Sequence, residues 1–162
     1  MPGKSDLSHL NCSVAGALSI VGDWWSLLIV RDALLGVRRF GEFQQSLGLA
    51  KNILADRLRR LTDDGVLTRE GPERRPFYHL TEKGHALAPA LIALMQWGDR
   101  WVSGDRAPVI VTDPEGREVD RIELQAGGQT LSFANLRFEP GVGAEPDTRT
   151  FLALMAMRAR EA

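Results

Sequence analysis

Between Phe40 and Gly65 the chain reads FGEFQQSLGLAKNILADRLRRLTDDG, two helical periods separated by a short break, and few folds accommodate that pattern. In the second period Leu54, Leu58 and Leu61 fall at i, i+4 and i+7, which puts three leucines on one side of a helix and Asn52, Asp56 and Arg59 on the other. One face is suited to packing and the other looks outward. Beyond Gly65, LTRE and FYHL have strand character on either side of GPERRP, a basic loop too long for a two-residue turn. A helix pair followed by a wing-like hairpin predicts a winged helix-turn-helix, an arrangement commonly used to read DNA.

The flanking segments extend this frame. Val14, Leu18 and Val21 predict a helix over 12–22, and Asp23 predicts the N-cap of a second, nearly all apolar helix ending at Gly36. Phe40 and Phe43 should anchor the third helix to about Gly48, and Gly65 should end the fourth. Thr81 predicts the cap of a long helix to about Val102, kinked at Pro89. On it Leu87, Leu91, Leu94, Gly98 and Trp101 recur at spacings of 4, 3, 4 and 3, a seam with few partners inside a small domain. Leu87, Leu91, Leu94, Trp97 and Trp101 are therefore expected at a homodimer interface, together with the first helix. After Ser103, VIVT, REVDRIELQ and TLSFANLRFEP read as strands joined by the turn signals DPEG and AGGQ, and TRTFLALMAMRARE reads as a closing helix. The expected fold class is mainly α with small β. Residues 1–102 form a winged-helix DNA-binding and dimerisation domain, and residues 103–162 a small β-rich extension that docks on the helical core or on a partner chain.

Charge supports a localised rather than general affinity for nucleic acid. The net charge is −1, but residues 1–102 hold 13 Lys and Arg against 11 Asp and Glu, whereas residues 103–162 hold 7 against 10. Positive charge concentrates in the helix pair. Lys51, Asn52, Ala55 and Arg59 are the outward positions expected to meet base edges, where Arg suits guanine, Asn suits adenine and Ala a thymine methyl. Arg38, Arg39, Arg60, Arg74 and Arg75 are expected to meet phosphates or the minor groove. Arg57 lies nearer the leucine face and should pair with Asp23, Asp32 or Asp63. Asp56 should repel phosphate unless it caps, pairs with Arg60 or accepts from a cytosine.

Other chemistries find little support. His9, His79 and His85 lack metal-ligand spacing, and no nucleophile elbow, P-loop or dinucleotide fingerprint is present, so an enzyme is not expected. The single cysteine, Cys12, leaves no internal disulfide and no cysteine-built zinc site. It reads either as a small buried hydrophobe or as a thiol sensing oxidants or electrophiles. Trp24, Trp25, Trp97 and Trp101 read as core and interface residues, or as the lining of a cavity for a small-molecule effector. WWSLLIV is cut short by Arg31 and Asp32 and the N-terminus MPGKSDLSH has no apolar run, so no membrane span is expected and a cytoplasmic location is.

From Cys12 to Val102 the chain resembles the HxlR-type family of bacterial winged-helix regulators. The residues carrying the likeness are Cys12, GDWWSLLIVRDALLGVRRFGEF, LGLAKNILADRLRRL, DDGVL, LTEKG and QWGDRW. The resemblance implies a homodimeric regulator of transcription, repressor or activator, with Lys51, Asn52, Ala55 and Arg59 on the recognition helix and Arg74 and Arg75 in the wing. It also matches Cys12 to the N-terminal cysteine that some members use in redox or electrophile sensing. Some relatives carry a zinc knuckle after the Trp-Gly helix, and VIVTDPEGREV with LRFEPGVGA resembles that extension without its cysteines, so no zinc and no other cofactor is expected. The first expectation is a repressor binding a palindromic operator as a homodimer, with redox or ligand response as the form of control. The alternative is a winged-helix module for protein–protein interaction without specific DNA readout.

Overall fold

The computed structural model describes residues 7, 9–104 and 106–158, which pack as two units, one of residues 20–122 and one of the chain's two ends. In the first unit α2 (Trp24–Leu34), α3 (Phe40–Leu47) and α4 (Lys51–Asp63) pack around one core. Asp23 caps α2 by accepting from the Ser26 amide at 3.1 Å. Phe43, Leu54, Leu58 and Leu61 are essentially sealed from solvent, with Ile29, Val30 and Ala33 of α2 against them. Each such leucine side chain contributes about 1.5–3 kcal/mol by burial.

Two glycines set the geometry of the helix pair. Gly48 turns the chain between α3 and α4 at φ 64°, and Gly65 ends α4 at φ 69°. There the Val66 amide reaches back to the Leu61 carbonyl at 2.8 Å and the Gly65 amide to Thr62 at 3.0 Å, a Schellman closure in which Val66 and Leu61 are both buried. The chain then enters β1 (Leu67–Glu70), which pairs antiparallel with β2 (Phe77–Leu80) in the register Leu67 to Leu80 and Glu70 to Phe77. Arg39 bridges to Phe77, so the segment before α3 adds a short third edge to the hairpin.

The helix expected from Thr81 to Val102 is two helices, α5 (Glu82–His85) and α6 (Ala88–Trp101). Thr81 caps α5 as expected, accepting from the Gly84 amide at 3.1 Å. Pro89 breaks rather than kinks the helix: with no N–H to give and a ring that would collide with the preceding turn, it takes the first turn of α6, where a missing donor costs nothing.

Packing divides the described residues after Ile122 rather than after Val102. Gln96 on α6 donates to the Asp120 carbonyl at 3.1 Å and accepts from the Ile122 amide at 2.9 Å, which fastens that stretch to the helical unit. Before it, DPEG forms the expected turn: Asp113 accepts from the Glu115 and Arg117 amides at 3.0 and 2.9 Å, and Thr112 bridges to Glu118.

The second unit joins residues up to 19 with residues 123–162. Helix α1 (Ser13–Val21) starts within it. Asn11 ties the two ends together, donating to Gly143 at 3.2 Å and accepting from the Glu145 amide at 3.0 Å and the Thr148 hydroxyl at 2.9 Å, beside the start of α7 (Pro146–Arg158). The last residues of the expected closing helix, 159–162, lie outside those described. The strands expected here shrink to β3 (Gln125–Ala126) and β4 (Gln129–Thr130) around Gly127 and Gly128, followed by a 3-10 turn at Phe133–Asn135. The turn signals hold, but the side chains beside them are exposed, so little burial extends the pairing.

Candidate nucleic-acid interface

Helix α4 carries two distinct faces. Leu54, Leu58 and Leu61 are buried, while Lys51, Asn52, Ala55 and Arg59 are exposed on the opposite side, where the sequence put them. Ala50 at the N-cap offers no side-chain cap to the first turn of α4.

The charges on this surface are not equally free. Asp56 gathers three arginines: Arg57 Nη1 at 2.6 Å, Arg59 Nη2 at 2.8 Å and Arg60 Nε at 3.0 Å. Arg59 also reaches Asp63 through Nη1 at 3.0 Å. Arg57 reaches back to the α2 cap, Nε to Asp23 Oδ1 at 2.9 Å, one of the pairings its position suggested. Burial works to raise the Asp56 carboxyl, but the hydrogen bonds from Arg59 and Arg60 and their charges hold it below the usual aspartate range. Hydrogen bonding to Asp56 in turn raises the Arg59 guanidinium.

Arg38 and Arg39 are placed differently from one another. The Arg38 side chain turns inward, donating to the Ala33 carbonyl and, at 2.9 Å, to the Val37 carbonyl, and so closes the C-terminal end of α2. Its cation is committed to the Ala33 carbonyl in the last turn of α2 and the Val37 carbonyl just beyond it, instead of standing free for a phosphate. Arg39 stays exposed, with its guanidinium 4.0 Å from the centre of the Phe77 ring. Glu42 fixes both backbones, accepting from the Arg38 amide at 3.0 Å and the Arg39 amide at 2.9 Å, which lowers its carboxyl below the ordinary value. In the wing, Arg74 and Arg75 are exposed, and none of the ion pairs around α4 involves them or Lys51.

Between α4 and the wing runs a half-open groove of about 510 Å³, floored by Phe40, Ala55 and Tyr78 and edged by Arg59, Arg69 and Arg74. Arg69 was not singled out from the sequence. Its place in a strand concealed it: alternation puts it on the same face as buried Leu67 and directly across from buried Tyr78, so nothing in the pattern marks it as exposed. It donates to the Glu73 carbonyl at 2.9 Å and so shapes the wing. Of the three acids open to Arg57 by position, Asp23 takes it, and Asp63 instead accepts from Arg59.

The expected dimer seam divides. Leu87 and Leu91 pack against the chain's own core, whereas Leu94, Trp97 and Trp101 are 55%, 56% and 63% exposed. Trp25 also joins the core, and Trp24 is 68% exposed, so the four tryptophans do not wall a cavity within one chain. Cys12 is exposed, which overturns the reading of a buried hydrophobe: it precedes the first turn of α1, whose buried positions are Ala15 and Val21. Among the described residues no cluster of three or more His, Cys, Asp or Glu could hold a metal, and no single helix is long and apolar enough to cross a membrane.

A helix pair, an exposed polar face on its second helix and a basic hairpin beside it define a winged helix-turn-helix protein. The chain belongs to the HxlR-like helix-turn-helix family, whose model matches residues 20–106. It is 40% identical over 148 residues to Rv3095 of Mycobacterium tuberculosis, an uncharacterised HTH-type transcriptional regulator, covering 86% of this chain and 93% of that one. It is similar to PA1607, a candidate transcription factor, with a TM-score of 0.77 and 44% identity over 83% of this chain and 98% of that one. The redox regulator HypR in its reduced form matches with a TM-score of 0.51 and 28% identity, covering 58% of this chain and 99% of that one. The family is one of transcriptional regulators rather than enzymes.

Proposed function

We propose that the protein is a sequence-specific DNA-binding transcriptional regulator, cytoplasmic, acting as a homodimer on a palindromic operator, and most simply as a repressor that occludes the site it occupies. One observation carries the reading: α4 buries its leucines and turns Lys51, Asn52, Ala55 and Arg59 outward, beside the exposed cations Arg74 and Arg75 of the wing. A helix so faced fits the major groove, with the wing on the flanking backbone. Three large apolar side chains exposed on α6, Leu94, Trp97 and Trp101, support pairing with a second copy, which sets two reading helices in successive major grooves about 34 Å apart. Selection of genomic fragments by the purified protein tests this. The expected product is a set of fragments sharing an inverted repeat, and recovery of unrelated fragments in proportion to their length argues against it.

Redox control, on this reading, acts through Cys12, whose exposed thiol supports it, as does the likeness to the redox regulator HypR. Without a second cysteine the products open to it are a bridge to the partner's copy of the same thiol or an adduct with a small thiol. Treatment with diamide should alter operator binding in the natural protein and leave Cys12→Ser unaffected. An equal response in both places the sensor elsewhere.

A further inference from the structure

Arg59 is the outward arginine best placed to meet a base, yet it does not stand free. It is gripped from both directions along the helix, by Asp56 one turn before it at 2.8 Å and by Asp63 one turn after it at 3.0 Å. Each carboxylate takes one terminal nitrogen of the guanidinium, which leaves Nε–H and the second hydrogen on each terminal nitrogen available to a ligand. Asp56 is itself held. Its other oxygen receives Arg57 at 2.6 Å and Arg60 at 3.0 Å, and Arg57 is anchored at 2.9 Å to Asp23, the cap of α2. A chain of ion pairs thus runs from a helix cap at the core to the outermost arginine of the reading face.

We infer that Asp56 and Asp63 are positioning residues that fix the Arg59 fork on the outer face of α4, so that it addresses a base edge instead of swinging to the nearest phosphate. The inference rests on the DNA-binding reading above and assigns these two acids a part in its specificity. A planar fork pinned at two corners loses little freedom when it meets the paired acceptors of a guanine edge. A phosphate accepts a cation from many directions, so an unpinned arginine gains phosphate contacts on any sequence. Two carboxylates on a surface facing DNA would otherwise repel it. Here their charge is offset by Arg57, Arg59 and Arg60, and Arg59 keeps its partners in the complex while its unused N–H groups face the base.

The test compares natural protein with Asp63→Asn and Asp56→Asn, each used to select from a random-sequence duplex pool and then titrated against the enriched duplex and a scrambled one over a range of salt. Among the described residues the ion pair and side-chain hydrogen bond of Asp63 are with Arg59 alone, so Asp63→Asn isolates the grip from the wider network. Each variant should bind the scrambled duplex about two- to fivefold more tightly, the span expected for one exposed ion pair. Its salt dependence should steepen toward one further phosphate per subunit, about 0.9 in slope. The base preference at one position of each half-site should flatten. A natural protein that enriches a sequence, with an Asp63→Asn variant of unchanged preference and slope, overturns the inference and leaves the DNA-binding reading standing. A uniform loss on every sequence in Asp56→Asn, with Asp63→Asn unaffected, also overturns it, since Asp56 then acts only on the fold. A natural protein that enriches nothing overturns the DNA-binding reading, and the inference with it.

Discussion

At the scale of single residues, the leucine face of α4 is the part of the chain that sequence periodicity exposes most directly. Leu58 is 1% exposed among Phe43, Leu54 and Leu61, so Leu58→Ala should cost about 2–5 kcal/mol, read as a lowered urea midpoint. Asp56 makes a prediction of a different kind. Its carboxyl is held below the ordinary aspartate value of about 3.9, so the contribution of its ion pairs is fully present above that value and is lost as pH falls through the lowered one. At pH 6 the natural protein should therefore unfold at higher urea than Asp56→Asn, and the gap should close as the pH is taken below about 3.9. A gap that stays constant down to pH 2 contradicts the ion-pair account. The pairs of Asp56 with Arg60 and of Arg57 with Asp23 were legible because helical spacing fixes the first and the small set of nearby acids restricts the second. The inward turn of Arg38 was not. It depends on the path of the chain from Val37 to Arg39, which lays the guanidinium against the Ala33 carbonyl of α2 and the Val37 carbonyl, and no local pattern encodes that path.

At the scale of elements, the four helices before Gly65 and the hairpin after it were legible because each is bounded by a residue of specific backbone chemistry: Asp23, Gly36, Gly48, Gly65 and Thr81. Two departures have physical causes. Pro89 starts a helix where a kink was expected, and the strands after Ser103 are short because their side chains are mostly exposed, with no core to bury one face. Gly84 supplies the prediction at this scale. In most exposed helices Gly→Ala is stabilising by about 0.5–1 kcal/mol. In α5 an added Cβ would collide with the Val66 carbonyl oxygen and come within 2.7 Å of the Leu80 side chain, where the helix crosses the base of the hairpin. Gly84→Ala should therefore be destabilising by about 1–3 kcal/mol, and a raised melting temperature would contradict that packing. Gly84 is part of LTEKG, one of the segments that carry the family likeness, but helical periodicity alone gives no reason for a glycine there, since nothing in it shows how closely a second element approaches.

At the scale of the whole molecule, the separation between what packs within one chain and what it leaves exposed is informative. Leu87 and Leu91 pack against the core, so the large apolar side chains left exposed on α6 are Leu94, Trp97 and Trp101. If that surface joins two copies, Trp97→Asp should convert a dimer to a monomer in sedimentation and weaken operator binding by far more than it weakens binding to a single half-site. Salt should matter throughout. Six to ten phosphates neutralised per dimer imply a fall in affinity of roughly 10³ to 10⁵ between 50 and 200 mM salt.

The central claim is that α4 reads bases with the face from Lys51 to Arg59. Fluorescence anisotropy titration of a selected duplex and a scrambled duplex, with natural protein and with the double variant Asn52→Ala, Arg59→Ala, tests it most directly. The account predicts a preference of at least about 10³ for the selected duplex in the natural protein, collapsing toward equality in the variant while salt-dependent binding to both duplexes persists. A variant that keeps the full preference, or a natural protein that shows none, contradicts it.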